Sequence, residues 1–499
     1  MKRLVRRANH SSEMMGRIRH RLKRLLLSGP FSVWKEEEKT NEFPKRQYQK
    51  NIDNIKKIYF KYLAAAFGSA LITSIYSIVD MAMVGQYHGP EGSAALAVVA
   101  PVWNIIYSFG LLMGIGGSVL FSTIRGKGGG NEAKSNEYFT ASVIGSVILA
   151  AVIWMLIIFF DRDLLLLFGA QDNTLTLARE YVKPIKPAIP LFLFNQMLAA
   201  YLRNDKNPTL ATGAVLSGGI FNVFGDYFFV FACDMGAFGA GLATAIGSAI
   251  TFIVMLSHFF SKKNTLRLIR PTGLPDKLRR ICVTGFSTFF IDVAMGILTI
   301  LFNRQIMEYL GTNALAVYGV IVNISTFAQC CAYSVGQASQ PIISTNFGAG
   351  KGDRIQQTLK YALGTTAFFS ILWTVLSLAI PNTFIRIFMD PTPEVLQIAP
   401  AIFRCYGISF LLLPLNIFST YYFQALMKPI TAFIVSVARG LVISGILIYL
   451  LPAAAGADSI WFAMPITEAL IAVYVVSRMI RYTRQLKPDG ETNHIRQAE

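Results

Sequence analysis

Inside an otherwise apolar stretch, Gly213 to Phe231, stand an asparagine and an aspartate, Asn222 and Asp226. Four residues apart, they fall on one face of a helix, one turn from each other. An unpaired carboxylate in hydrocarbon costs roughly 3 kcal/mol on insertion scales. A chain keeps such a group where it faces protein or water, and the usual reason is the handling of an ion or a substrate. The plainer alternative is a packed, hydrogen-bonded structural aspartate.

The elements that hold these residues are membrane spans. Of 499 residues, 53% are hydrophobic and 15% charged, where soluble domains carry about 25% charged residues. Mean hydropathy is +0.47. Apolar runs of about twenty residues recur, each long enough to cross a bilayer. Twelve spans are read near 58–84, 94–121, 137–160, 178–201, 208–231, 236–260, 278–307, 313–341, 356–380, 396–424, 429–451 and 458–481. The expected fold class is thus an all-α polytopic membrane protein.

The net charge of +18 points to orientation in a bilayer and not to nucleic acid. Loops after even-numbered spans are basic: Arg125 and Lys127, Arg203 and Lys206, then Lys262 to Arg280, Lys351 and Arg354, Lys428, Arg478 and Arg481. Loops after odd-numbered spans are poorer in base, as with His88, Asp234 and Asp458, and that at 161–186 is mixed. The positive-inside rule then places both termini in the cytosol of a multi-pass protein of the plasma (cell inner) membrane. Residues 1–57 form a basic cytosolic extension in which Arg17 to Arg24 interleave with Leu22 to Leu27. This segment reads as a surface-lying amphipathic helix or a disordered tail, and not as a signal peptide. Residues 482–499 form the other cytosolic tail.

The basic linker at 261–277 separates two similar halves, 58–260 and 278–481. Gly92 to Val98 matches Gly311 to Val317. The glycines at 126, 128 and 130 match those at 348, 350 and 352, and Asn195, Tyr201 and Pro208 match Asn416, Tyr422 and Pro429. Each half holds six spans, an even number, so both insert in the same orientation. Two six-helix lobes related by a pseudo-twofold axis along the membrane normal are expected, with the substrate path between them.

Together these pieces resemble the multidrug and toxic compound extrusion (MATE) transporters: Val79-Asp80 to Gly85 in the first span, the glycine-rich loop after the second, Arg203 to Pro208 after the fourth, Asn222 and Asp226 in the fifth, and Arg439 in the eleventh. The resemblance covers residues 58–481. It implies a secondary antiporter, not an enzyme, that exports organic cations or amphipathic compounds in exchange for H+ or Na+ by alternating access. No other cofactor is implied, and a monomer is expected. By match, ion coupling falls to Asp80, Asn222 and Asp226, with Thr244 in the sixth span. A second branch of the family has a glutamate in the seventh span, where Asp292 stands at a similar place. The first span has no proline at which to bend, and Gly68-Ser69 is a candidate flexible point. Two rival readings are a lipid-linked oligosaccharide flippase of the same superfamily and a non-transporting membrane receptor. The flippase calls for a cationic cavity, whereas the intramembrane charges here are mainly acidic.

Depth at 1.5 Å per residue is compatible with a cluster. Asp80 lies roughly 30 Å and Asp226 roughly 27 Å up their spans, and Thr244 roughly 12 Å below the outer face, so all three fall in the outer half. Asp292 lies roughly 20 Å up, in the other lobe, and Asn195 falls in the inner half, outside the cluster. Two close carboxylates in low dielectric cannot both ionise cheaply and would titrate as a unit. A shared proton fits, and so does Na+ held by the oxygens of Asp80, Asn222, Asp226 and Thr244.

The remaining features read as structural. Arg439 and Glu468 form an expected buried ion pair, and Arg304 and Glu308 a surface pair. Met81, Met83, Met113, Met197 and Met295 are candidates for a plastic drug cavity, although packing accounts for any one of them. His88 is expected in solvent. The five cysteines show no ligand spacing. Around Lys351 the P-loop pattern fails at Thr345 and Gly352, and Val223 breaks the GxGD pattern of an intramembrane aspartyl protease.

Overall fold

The computed structural model describes residues 31–389 and 391–486, and the segment around Arg17 to Leu27 and the tail beyond Leu486 lie outside them. The chain divides between Lys57 and Ile58 into two compact units, and the second, Ile58–Glu499, holds the spanning body. All regular structure among the described residues is helical. Among the described residues, twelve helices are long and apolar enough to cross a membrane: Asn54–His88, Glu91–Gly126, Glu132–Leu167, Asn173–Asn204, Pro208–Ala232, Gly236–Phe260, Leu274–Tyr309, Gly311–Gly348, Gly352–Ala379, Pro393–Ala425, Pro429–Ala455 and Ala457–Arg484.

Several spans outrun the apolar stretches that announce them. The third covers Glu132–Leu167 where hydropathy marks 137–160, and the eighth Gly311–Gly348 where it marks 313–341. A 36-residue helix is about 54 Å long against a hydrocarbon core of about 30 Å. Hydropathy stops at the lipid edge, whereas the i→i−4 ladder continues into water. The expected loop at 161–186 is therefore mostly helix: Asp161 sits within the third span, buried, and takes Arg179 at 3.0 Å and Lys186 at 2.9 Å from the fourth.

The repeat is visible in two shared irregularities. The fourth span breaks into Asp172–Ile185 and Ile189–Asn204 around a 3-10 turn at Lys186–Ala188, and the tenth into Pro393–Gly407 and Leu413–Ala425 around one at Ile408–Leu411. Prolines 184, 187 and 190 in one, and 400 and 414 in the other, remove helix donors at these places. The fifth and eleventh spans each carry a π-helical turn, Phe228–Ala232 and Ala438–Val442. Such turns are rare and gather at functional sites. The first lies two residues past Asp226, and the second contains Arg439.

The lobes meet at the end where the first span starts, the end that loop charge marks as inner, and the contacts of the second span that join them begin about midway. Phe109 packs on Phe289 at 4.8 Å between ring centroids. Below it the backbones close in: a Cβ on Gly116 would lie 2.2 Å from the Ile281 carbonyl oxygen, and one on Gly348 only 1.9 Å from that of Thr123. The Ser122 and Ser344 hydroxyls are 2.6 Å apart. On the other flank Phe67 stacks on Phe369 at 5.9 Å. Glycines and serines let the helices approach this closely. The linker is strapped down here rather than loose. Arg267 N–H donates to Asn136 Oδ1 at 3.1 Å, Ile269 N–H to Thr140 Oγ1 at 2.9 Å, and Thr265 N–H to Asp205 Oδ2 at 2.9 Å.

Candidate functional site

Small residues set the spacing of the N-terminal lobe's polar cluster. Gly218 of the fifth span sits against Gly247 and Thr251 of the sixth, and Gly225 against Ala243. Gly241 of the sixth packs on the Tyr181 carbonyl of the fourth. With the three spans this close, short polar side chains reach one another. Asn222 Nδ2 donates to Thr244 Oγ1 at 3.0 Å and, more weakly, to Asp226 Oδ1 at 3.4 Å.

Asp80 of the first span completes the group. Its Oδ2 accepts a short hydrogen bond from the Tyr181 hydroxyl, and it also faces the Thr244 hydroxyl. Asp80 and Asp226 are close enough to interact as charges. Both are shut away: Asp80 is 5% and Asp226 0% exposed. Neither carboxylate belongs to any ion pair found among the described residues. One oxygen each of Asp80, Asp226 and Asn222 (Oδ1, Oδ2 and Oδ1) has no hydrogen-bond partner in the protein. Three such oxygens, with the Thr244 hydroxyl, match the hard donor set that a small cation requires. The same carboxylates can instead share a proton.

Four of the five sequence candidates, Asp80, Asn222, Asp226 and Thr244, thus come together, and Asn195 stays apart, donating to the Ser248 carbonyl and hydroxyl oxygens at 3.0 Å each. Tyr181 was missed. Hydropathy carried no signal for it: the span read as 178–201 puts Tyr181 only about 5 Å in, whereas the helix starts earlier, at Asn173. Beyond Asp80, the Tyr76 and Tyr107 hydroxyls are 2.8 Å apart and join the first span to the second.

Asp292 is not part of this cluster. It is half-buried in the other lobe, where Tyr333 donates to its Oδ1 at 3.2 Å and Ser108 of the second span faces it. Tyr333 also reaches Gln329 Oε1 at 3.4 Å, and Gln329 Nε2 touches Met295 Sδ at 3.4 Å. Met295 therefore adjoins a polar site, whereas Met113 and Met197 are 2% and 0% exposed in the N-terminal lobe's core, so packing claims both.

Arg439 and Glu468 pair as expected, Nε to Oε1 at 2.8 Å, and Asn416 Nδ2 donates to the second carboxylate oxygen at 2.6 Å. Two expectations need correcting. His88 is not a solvated loop residue: it ends the first span, and its Nε2 accepts from the Ala237 N–H at 3.0 Å. The Arg304–Glu308 pair does not form, and Glu308 accepts from Gln305 Nε2 at 3.4 Å.

The MatE family model matches the chain twice, over residues 65–228 and 286–450, once in each lobe. The chain belongs to the MatE family. Curated relatives include the multidrug export protein MepA of Staphylococcus haemolyticus, 24% identical over 413 residues, which cover 82% of this chain and 90% of that protein. MepA of Staphylococcus aureus is 22% identical over 405 residues, 81% of this chain and 88% of that one. Among solved structures, an outward-facing multidrug resistance MATE transporter of the MOP superfamily superposes with a TM-score of 0.78 at 19% identity, covering 86% of this chain and 97% of its own. A MOP superfamily transporter from Pyrococcus furiosus, described as having a binding pocket of reverse polarity, gives 0.80 at 18%, covering 87% and 96%. This MatE chain thus has the two-lobe, twelve-helix fold and is a multi-pass integral membrane protein, not an enzyme.

Proposed function

We propose that this chain is a multidrug antiporter that exports organic cations or amphipathic compounds in exchange for H+ or Na+ by alternating access. It works as a monomer in the plasma membrane with both termini in the cytosol. The carrying observation is a pair of buried carboxylates in one lobe, Asp80 and Asp226, with no lysine or arginine against them. A chain that leaves two acids uncompensated in hydrocarbon pays for it unless a mobile cation serves as the counter-charge.

The steps follow from the geometry. With the inner end sealed, an ion from outside reaches Asp80 and Asp226. It takes their free oxygens, with Asn222, Thr244 and Tyr181 holding the carboxylates in place. One monovalent cation between the two acids leaves a single negative charge on the pair, which relieves their repulsion and lets the first, fifth and sixth spans repack. The first span bounds the space between the lobes, so this repacking expels the drug outward. Asp292, with Tyr333, offers the drug's cationic group a carboxylate on the opposite wall. Acidic rather than basic walls favour this reading over a flippase for pyrophosphate-linked sugars.

Ethidium export from proteoliposomes under a proton or a sodium gradient, imposed separately, tests the reading. Wild type exports under one of them, and Asp226→Asn does not respond to it. Normal gradient-driven export by Asp226→Asn would contradict the proposal.

A further inference from the structure

The inner seal buries a cation that no acid neutralises. Arg203 stands at the inner end of the fourth span and is 5% exposed. Asp205, two residues on, is already engaged by His258 at 2.8 Å, by Arg125 at 3.4 Å and by the Thr265 N–H at 2.9 Å. The other buried arginine of a span, Arg439, has Glu468. Arg203 forms none of the ion pairs found among the described residues. What faces it is the phenol of Tyr421, from the opposite lobe.

The next residue adds a second unmet donor. Asn204 Nδ2 reaches Gln340 Oε1 of the eighth span at 3.5 Å, and Gln340 Nε2 is buried with no partner. This part of the seal therefore offers a guanidinium and an amide N–H, with the Tyr421 phenol and the unpartnered Asn204 Oδ1 as neutral acceptors nearby and no anionic one. Buried charges are paired in folded proteins because an unpaired one forfeits its hydration without return. Arginine is also the residue whose fork of donors suits small anions, carboxylates above all.

We propose that Arg203 forms a binding site for a small monovalent anion, chloride or a short carboxylate, occupied when the two lobes close over it. The anion supplies the charge that no side chain provides. When the lobes part at the inner end, water hydrates the guanidinium and the anion leaves. Anion binding thereby favours the sealed state.

The proposal does not rest on the export reading, because its test needs neither substrate nor gradient. The full-length protein in nanodiscs is melted at constant sodium with isethionate, chloride or acetate as the anion. Wild type is expected to melt several degrees higher in chloride or in acetate than in isethionate. Arg203→Lys keeps part of that shift, and Arg203→Gln loses it. A shift with chloride alone makes a halide the ligand, and one with acetate alone a carboxylate. Equal melting in all three salts, or an undiminished shift in Arg203→Gln, overturns the site. Should Arg203→Gln fail to fold, wild-type crystals grown in bromide decide. Anomalous density beside the Arg203 guanidinium supports the site, and the lack of both bromide density there and acetate density in crystals grown in acetate overturns it.

Discussion

In the C-terminal lobe, Asn416 and Arg439 converge on Glu468. At the matching place in the N-terminal lobe, Asn195 meets Ser248, and Gly218 packs on Gly247. That lobe instead carries its acids, Asp80 and Asp226, late in spans that start at the sealed end, and among the described residues no base pairs with them. The same six-helix repeat thus holds a self-neutralised pair in one copy and an uncompensated pair in the other. A neutralised pair is a strut, since it gains nothing from a passing ion. On the proposed reading an uncompensated pair is an ion site, completed by a mobile cation. The sequence repeat alone does not draw this distinction, because Asp226 and Glu468 both read as acids inside spans.

Substitutions should separate the two roles, and the largest effect belongs to the strut. Arg439→Ala leaves Glu468 buried and unpaired, which should cost about 3–5 kcal/mol of stability, seen as a lower melting temperature of the purified protein. Arg439→Met combined with Glu468→Met should recover most of that loss. In the other lobe the pattern should invert. Asp226→Asn or Asp80→Asn removes an uncompensated charge, so melting is unchanged or higher, while gradient-driven ethidium export falls by more than about tenfold. If either aspartate variant unfolds as Arg439→Ala does, the contrast between the lobes fails.

A smaller effect is expected at the seal. Gly348→Val puts a side chain where the Thr123 carbonyl oxygen stands 1.9 Å from an ideal Cβ. The inner end should then close poorly, export should drop several-fold, and a cysteine placed at Ser344 should label faster than in the parent protein. The smallest effect is Tyr181→Phe. Losing one hydrogen bond to Asp80 should weaken ion affinity a few-fold, about 1 kcal/mol, read from the gradient that gives half-maximal export.

Much of this was legible in the chain. Asn222 and Asp226 announce themselves because a polar pair at i,i+4 inside an apolar run has no lipid-facing explanation. The two lobes follow from repeated glycine and asparagine positions, and the Arg439–Glu468 pair from two opposite charges in adjacent spans. Tyr181 was not legible, because its contact with Asp80 joins residues 101 apart and an aromatic in a span looks like packing. His88 misled for the same reason: its partner, Ala237, is 149 residues away. Helix ends misled because hydropathy reports lipid and not hydrogen bonding. The turns that break the fourth and tenth spans hide among prolines that a hydropathy reading takes as tolerated within a span.

The claim that the N-terminal carboxylates hold the exchanged ion is tested most directly without transport. Purified protein in weak buffer receives ethidium while released protons are followed with a pH dye and released sodium with radiolabel. Wild type should release one of the two ions as the drug binds, and Asp80→Asn combined with Asp226→Asn should release neither. Release from that double variant equal to wild type would contradict the account and move the exchange site to another carboxylate, with Asp292 next in line.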